Sequence, residues 1–237
     1  MTKLGINIDH VATVRNARGE GHPSLIEIAK IVKDSGADSI TVHLREDRRH
    51  IKDQDLKNLC NKKYLINMEM AANIKMMEIA IKNKPKFVCL VPEKRNEVTT
   101  EGGLNLNKNY NLIKKIVTKL NNKNIRTSLF IDPTIKNIML SKKIGAKCVE
   151  LHTGKISRLV KNNKKFSKEF LKIKRCSKFG VENNIEIHAG HGLDYKTTRL
   201  LTKISQITEY NIGHFIIGES IKIGISKVIK NFKKIIK

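Results

Sequence analysis

Between His43 and His50 the chain places two imidazoles and three guanidiniums within eight residues, directly after the short β-branched run Ser39-Ile-Thr-Val42. A run of that kind forms a buried strand, so the charged residues stand where the strand delivers them, at its end. Guanidiniums grip a phosphate or carboxylate through paired donors, and imidazoles move protons near neutral pH. The chemistry these residues suit is proton transfer on a small anion. A charged run after a strand is by itself equally well read as a solvated loop. Repetition favours chemistry. Of eight histidines, His10, His43, His152, His188, His191 and His214 fall at or just past the ends of predicted strands, and His50 follows in the loop after the second. Glu69 ends the third strand, where it can act as a base. Gly190 and Gly192, with Gly213 and Gly218, follow the last two strands and allow backbone N–H groups to approach an anion closely.

These residues converge only if the strands that carry them end on one rim. Apolar strand runs begin at Lys3, Ser39, Tyr64, Lys86, Arg126, Lys147, Asn184 and Glu209, and helical patterns follow them. Pro23-Ser24 opens one such helix, with Leu25, Ile28, Ala29 and Val32 at helical spacing and Gly36 as its stop, while the stretch carrying Arg15 and Arg18 reads as a loop. Eight alternations of strand and helix predict an α/β fold, a (β/α)8 TIM barrel, as a single domain over residues 1–237. Residues 92–108 are long for a connection and read as an active-site lid, with Gly102-Gly103 as its hinge.

Composition bounds the partners. The net charge is +25, but the excess is mostly Lys, is spread over every predicted helix, and comes with no RNP-like aromatic motif or zinc-finger spacing. This argues against specific nucleic-acid binding. The acid and His at Asp9-His10 interrupt what a signal peptide would continue, and no apolar run reaches the roughly 20 residues that span a bilayer, so a cytoplasmic protein with no membrane partner is expected. Cys60, Cys89, Cys148 and Cys176 lack C-x-x-C spacing and read as reduced thiols. A phosphosugar aldolase or isomerase on the same barrel would also need phosphate-binding glycines and rim acids, and if it used a Schiff-base lysine it would show Lys at a strand end. A metal-dependent hydrolase would show an H-x-H after the first strand or H-E-x-x-H. Neither signature is present.

The motifs Asn7-Ile-Asp-His10, Thr41-Val-His-Leu-Arg-Glu-Asp-Arg-Arg-His50, Asn67-Met-Glu-Met70, Leu90-Val-Pro-Glu-Lys-Arg95, Glu97-Val-Thr-Thr-Glu-Gly-Gly103, Ala189-Gly-His-Gly-Leu193 and Asn211-Ile-Gly-His214 together resemble the pyridoxine 5′-phosphate synthase family over essentially the whole chain. The resemblance implies a cofactor-independent, metal-free condensation of two small phosphorylated substrates, 1-deoxy-D-xylulose 5-phosphate and 3-amino-2-oxopropyl phosphate, and a homo-octamer. It implies His43 and Glu69 as proton acceptors and His191 as proton donor. Asp9, His10, Arg45, His50 and Thr99 would hold the deoxyxylulose phosphate, and Asn7, Arg18, Gly192, Gly213 and His214 the aminoketone phosphate. One departure is His188, where the family pattern leads us to expect Asn. It is expected to put an extra imidazole beside His191.

Overall fold

The computed structural model describes residues 1–62, 64–93 and 102–237. Strands β1 (Lys3–Asn7), β2 (Ser39–His43), β3 (Ile66–Ala71), β4 (Phe87–Val91), β5 (Arg126–Ile131), β6 (Cys148–His152), β7 (Glu186–Gly190) and β8 (Ile207–Ile212) pair in chain order, and β8 closes onto β1. Every pairing is parallel. Parallel neighbours need crossovers, and helices supply them. These are α1 (Asp9–Arg18), α2 (Leu25–Asp34), α3 (Asp53–Asn61), α4 (Ile74–Asn83), α5 (Tyr110–Asn121), α6 (Ile135–Ile144), α7 (Gly154–Lys161), α8 (Ser167–Glu182), α9 (Tyr195–Leu201), α10 (His214–Ile223) and α11 (Ile225–Ile235). The chain therefore forms the expected (β/α)8 barrel. Among the described residues, no helix is long and apolar enough to cross a membrane.

The helices form where the apolar period and the caps agree. In α5, Ile113, Ile116, Val117 and Leu120 make one buried stripe. Ser24, Asn73, Thr134 and Asp194 each accept a backbone N–H at the start of α2, α4, α6 and α9. The loop expected to carry Arg15 and Arg18 is instead the helix α1. Besides Asp9, it buries only Val11 and Ala12, so no amphipathic period announces it. What holds it is polar: Arg15 grips Asp55 of α3 through two bonds of 2.7 and 2.8 Å, and Gly19 ends it at φ +77°.

Barrel interiors are usually filled by branched apolar side chains, but this one is polar. Thr41, Asn67, Ser128, Glu150, His188, Glu209 and Asn211 are all buried. Strand alternation explains the placement on β6: Val149 and Leu151 face the helices, which leaves Glu150 and His152 to face inward. Room for Glu150 comes from its neighbour strand, because a Cβ at Gly190 would overlap the Glu150 carboxylate. His188 corrects the sequence reading. It lies within β7 beside Glu150 in register, with Nε2 3.0 Å from Glu186 Oε1, and so below the rim, away from His191. All four cysteines are free, with Cys89, Cys148 and Cys176 buried.

Filling the space beneath Glu150 should be costly. Gly190→Ala is expected to lose about 1–3 kcal/mol of stability by overpacking, measured by urea denaturation; an unchanged midpoint would mean that the Glu150 side chain has another place to go.

Candidate active site

A cavity of about 770 Å³ opens at the C-terminal end of the barrel. One wall is an acid–base cluster assembled by β1, β2 and β3. Asp9 Oδ1 accepts the His43 backbone N–H at 2.8 Å, and Asp9 Oδ2 accepts Asn7 Nδ2 at 2.8 Å, which locks the first turn of α1 onto the end of β2. Strand register then sets His43 beside Glu69, with His43 Nδ1 3.8 Å from Glu69 Oε2. The other ring nitrogen, Nε2, lies 2.9 Å from Glu93 Oε1, and Glu93 Oε2 accepts the Glu46 N–H. His43 is thus held between two carboxylates. Glu93 was not singled out in the sequence, because it reads there as one of several charges in a loop.

Glu150 is the other residue that sequence reasoning missed. Its Oε2 accepts Asn211 Nδ2 at 2.8 Å, and it lines the floor of the cavity. The available signal was a lone acid at an inward position of an otherwise apolar strand. Burial pushes the Glu150 carboxyl up to about 7, against the opposing effects of His188 and the Asn211 bond. Glu69 is raised well above the ordinary value by burial, then by the charges of Glu150 and Asp9. Burial also raises Asp9, against the hydrogen bond from His43.

The opposite side of the cavity is built for anions. Gly213 and His214 stand at the N-terminus of α10, where backbone donors point outward. His214 meets the His10 ring at 5.1 Å between centroids. Burial lowers the proton affinity of His10, and His214 lowers it further. Arg45 lines the cavity with a buried Nε that has no hydrogen bond among the described residues, although Asp47 Oδ1 lies 3.5 Å away. His191 and Gly192 follow β7 in the left-handed conformation, both at φ +77°, a region that non-glycine residues adopt rarely. Burial, followed by the influence of His152, brings His191 down to about 4.

The fold thus gathers Asn7, Asp9, His10, His43, Arg45 and Glu69 with His191, Gly192, Gly213 and His214 around one cavity. His50 stands one layer behind: its Nδ1 pairs with Thr13 Oγ1 at 2.7 Å, and its ring meets His10 at 5.9 Å. Arg18 is not brought in; its side chain is 80 % exposed, with Glu20 at 3.5 Å. Thr99 lies outside the described residues. Asp9, His43 and Glu69 offer ligand atoms within 4.8 Å of one another, a grouping that could take a cation. Both Asp9 oxygens, however, already accept hydrogen bonds from the chain itself.

A closed parallel barrel with raised carboxyls facing a helix N-terminus and arginine defines an enzyme that moves protons on small phosphorylated molecules. The chain belongs to the family described as pyridoxal phosphate biosynthesis protein PdxJ, whose model matches residues 4–237. It is 61 % identical to the pyridoxine 5′-phosphate synthase of Pelagibacter ubique, over 99 % of each chain. To that of Zymomonas mobilis it is 48 % identical, over 98 % of this chain and 90 % of the other. Among solved structures, phosphoribosyl anthranilate isomerase from Thermotoga maritima superposes with a TM-score of 0.62 at 12 % identity, covering 100 % of this chain and 98 % of that one. A Pyrococcus furiosus N-(5′-phosphoribosyl)anthranilate isomerase gives 0.61 at 12 % identity, again with 100 % and 98 % coverage. These two show the fold alone.

The raised Glu150 carboxyl has a signature in stability. Its folded value of about 7 stands above the ordinary 4.5, so with rising pH the unfolded chain ionises first, and the folded state loses stability across that interval. Glu150→Gln keeps an acceptor for Asn211 and removes the titration. Its melting temperature should gain on the wild type between those two pH values and then hold a constant lead; a lead that is flat throughout would contradict the assignment.

Proposed function

We propose that this chain condenses 1-deoxy-D-xylulose 5-phosphate with 3-amino-2-oxopropyl phosphate to pyridoxine 5′-phosphate, phosphate and water. The observation that carries this reading is the division of one cavity into a carboxyl–imidazole wall, around His43, and an anion-binding wall, around Arg45 and the N-terminus of α10. Closing the pyridine ring takes amine attack on a ketone, loss of water, removal of a proton beside an imine carbon, expulsion of one phosphate and a second carbonyl addition. Nearly every step is a proton transfer. Groups positioned as these are contribute about 10²–10⁴-fold each, and holding two dianions together supplies proximity.

His43 and Glu69 act as proton acceptors. His43 Nε2 is engaged by Glu93 and its Nδ1 faces Glu69, so the imidazole has a carboxyl group on either side, and the raised proton affinity of Glu69 makes it the stronger base when ionised. His191 is the donor. With its affinity lowered to about 4 it is neutral in the free protein, and the entry of two phosphate dianions favours its protonated form. Asp9, His10, Arg45, His50 and Thr99 hold the deoxyxylulose phosphate, while Asn7, Gly192, Gly213 and His214 hold the aminoketone phosphate; Arg18, which the resemblance also assigns to that phosphate, stands outside this cavity. Residues 92–108 serve as the lid that keeps water from imine intermediates, a role supported by Pro92 and Gly102, which line the cavity at the two ends of the segment's undescribed part. The chain works in the cytoplasm as a homo-octamer, which light scattering on purified protein tests directly.

Purified protein treated with EDTA, given both substrates, should release pyridoxine 5′-phosphate and inorganic phosphate in equal amounts. Loss of activity that a divalent cation restores would favour instead a metal held by Asp9, His43 and Glu69. His43→Ala, Glu69→Gln and His191→Asn should each lower kcat by about 10²–10⁴-fold. If all three stay at wild-type rates, the roles assigned here are wrong.

A further inference from the structure

Behind His191 stands a second imidazole that none of these roles uses. His152 ends β6, is buried, and does not line the cavity. Its ring lies 4.9 Å from that of His191, centroid to centroid, at 55°. Phe130 of β5 closes the group, 5.2 Å from His152 and 6.2 Å from His191. His152 Nδ1 is 3.6 Å from Asp132 Oδ1, and that same buried oxygen accepts the Gly103 N–H at 3.0 Å. Beneath both rings Gly154 leaves a slot: a Cβ there would lie 2.7 Å from His152 Nε2 and 2.9 Å from His191 Cδ2. The left-handed backbone of His191 is pinned by Thr153, whose Oγ1 lies 2.7 Å from Gly190 O and 2.8 Å from His191 O.

We propose that His152, anchored by Asp132, is the positioning residue of His191: it fixes the plane of the donor ring and sets the charge that ring meets on its inner face. A ring held at a rare backbone angle, with a slot too narrow for any side chain, has few other orientations. His152 touches no substrate in this arrangement and acts only through its neighbour. The charged and titratable groups that face His191 are His152 from the end of β6 and Arg158 and Lys161 from α7, with Asp132 behind His152; Phe130 adds none. All three direct neighbours disfavour a second positive charge, and this agrees with the lowered proton affinity of His191, for which burial is the larger cause. The inference rests on His191 being the proton donor. In that case the His152 contact keeps the donor empty until anionic substrates arrive.

His152→Asn tests this, because it leaves an N–H for Asp132 and removes the ring. Titration of the His191 ring, followed by NMR in the unliganded protein, should move upward from about 4. In turnover, kcat should fall by about 10-fold or more from lost orientation, with KM for both substrates held within about twofold. An unmoved His191 titration, or a change confined to KM, would overturn the proposal. Should that variant not fold, Asp132→Asn is read in the same way. The NMR arm needs no substrate. A failure of the functional reading would therefore appear as an inert His191→Asn substitution beside a His191 titration that does move in His152→Asn, distinct from a failure of this inference.

Discussion

Two carboxyl groups, Glu69 and Glu150, line the mouth of a closed barrel, and burial together with the charge of Glu150 makes it costly for Glu69 to ionise. Much of the surrounding structure answers to that repulsion in a space that water cannot screen. Gly190 surrenders its side-chain volume to Glu150, Asn211 donates to it, and His188 opposes its rise in proton affinity from the strand beside it. On the other side, Asp9 is satisfied by Asn7 and by the His43 backbone, and so adds its own charge to the pressure on Glu69. A barrel packed with branched aliphatic residues would have no such problem to solve. The polar interior here is what allows carboxyls of raised proton affinity to be kept at depth.

The imidazoles are pushed the opposite way. His10, His50 and His191 all hold protons less tightly than a free imidazole, with burial as the first cause in each case. The free site therefore sets carboxyls of raised proton affinity beside imidazoles of lowered affinity. Much of the charge needed to change this arrives with the substrates. Phosphate dianions bound beside these groups would stabilise protonated imidazole, so binding and the readiness to transfer protons would be coupled. The work of such a site is the ordered movement of protons rather than electron storage.

Much of this was legible in the sequence, for reasons that differ between residues. Strand runs such as Ser39–His43 are short, apolar and β-branched, and eight of them alternating with helical patterns leave few folds to choose from. His43, Glu69 and His191 stand where such runs stop, so the rim could be read from polarity alone. Glu150 and Glu93 were hidden by their company, one inside an apolar strand and the other among loop charges. His188 reads as a rim residue because it stands close before a glycine-rich turn, and the strand runs on past it to Gly190, which sets it inside the barrel against Glu186. The helix α1 escaped because ion pairs with α3, rather than an apolar stripe, hold it in place. Arg18, to which the resemblance assigns a phosphate, stands exposed beside Glu20 and outside the cavity, and no local pattern in the sequence shows that.

The central claim is that the carboxyls in the barrel mouth hold a proton more tightly than ordinary carboxyls do, and infrared difference spectroscopy measures this directly. Wild-type protein minus Glu69→Gln, recorded without substrate over a pH series, should keep the carbonyl stretch of a protonated carboxylic acid to higher pH than an ordinary glutamate does, and should lose it at lower pH on the Glu150→Gln background as the Glu150 charge is removed. A carbonyl stretch that gives way to carboxylate bands at the ordinary glutamate pH would contradict the account of how this site holds its protons.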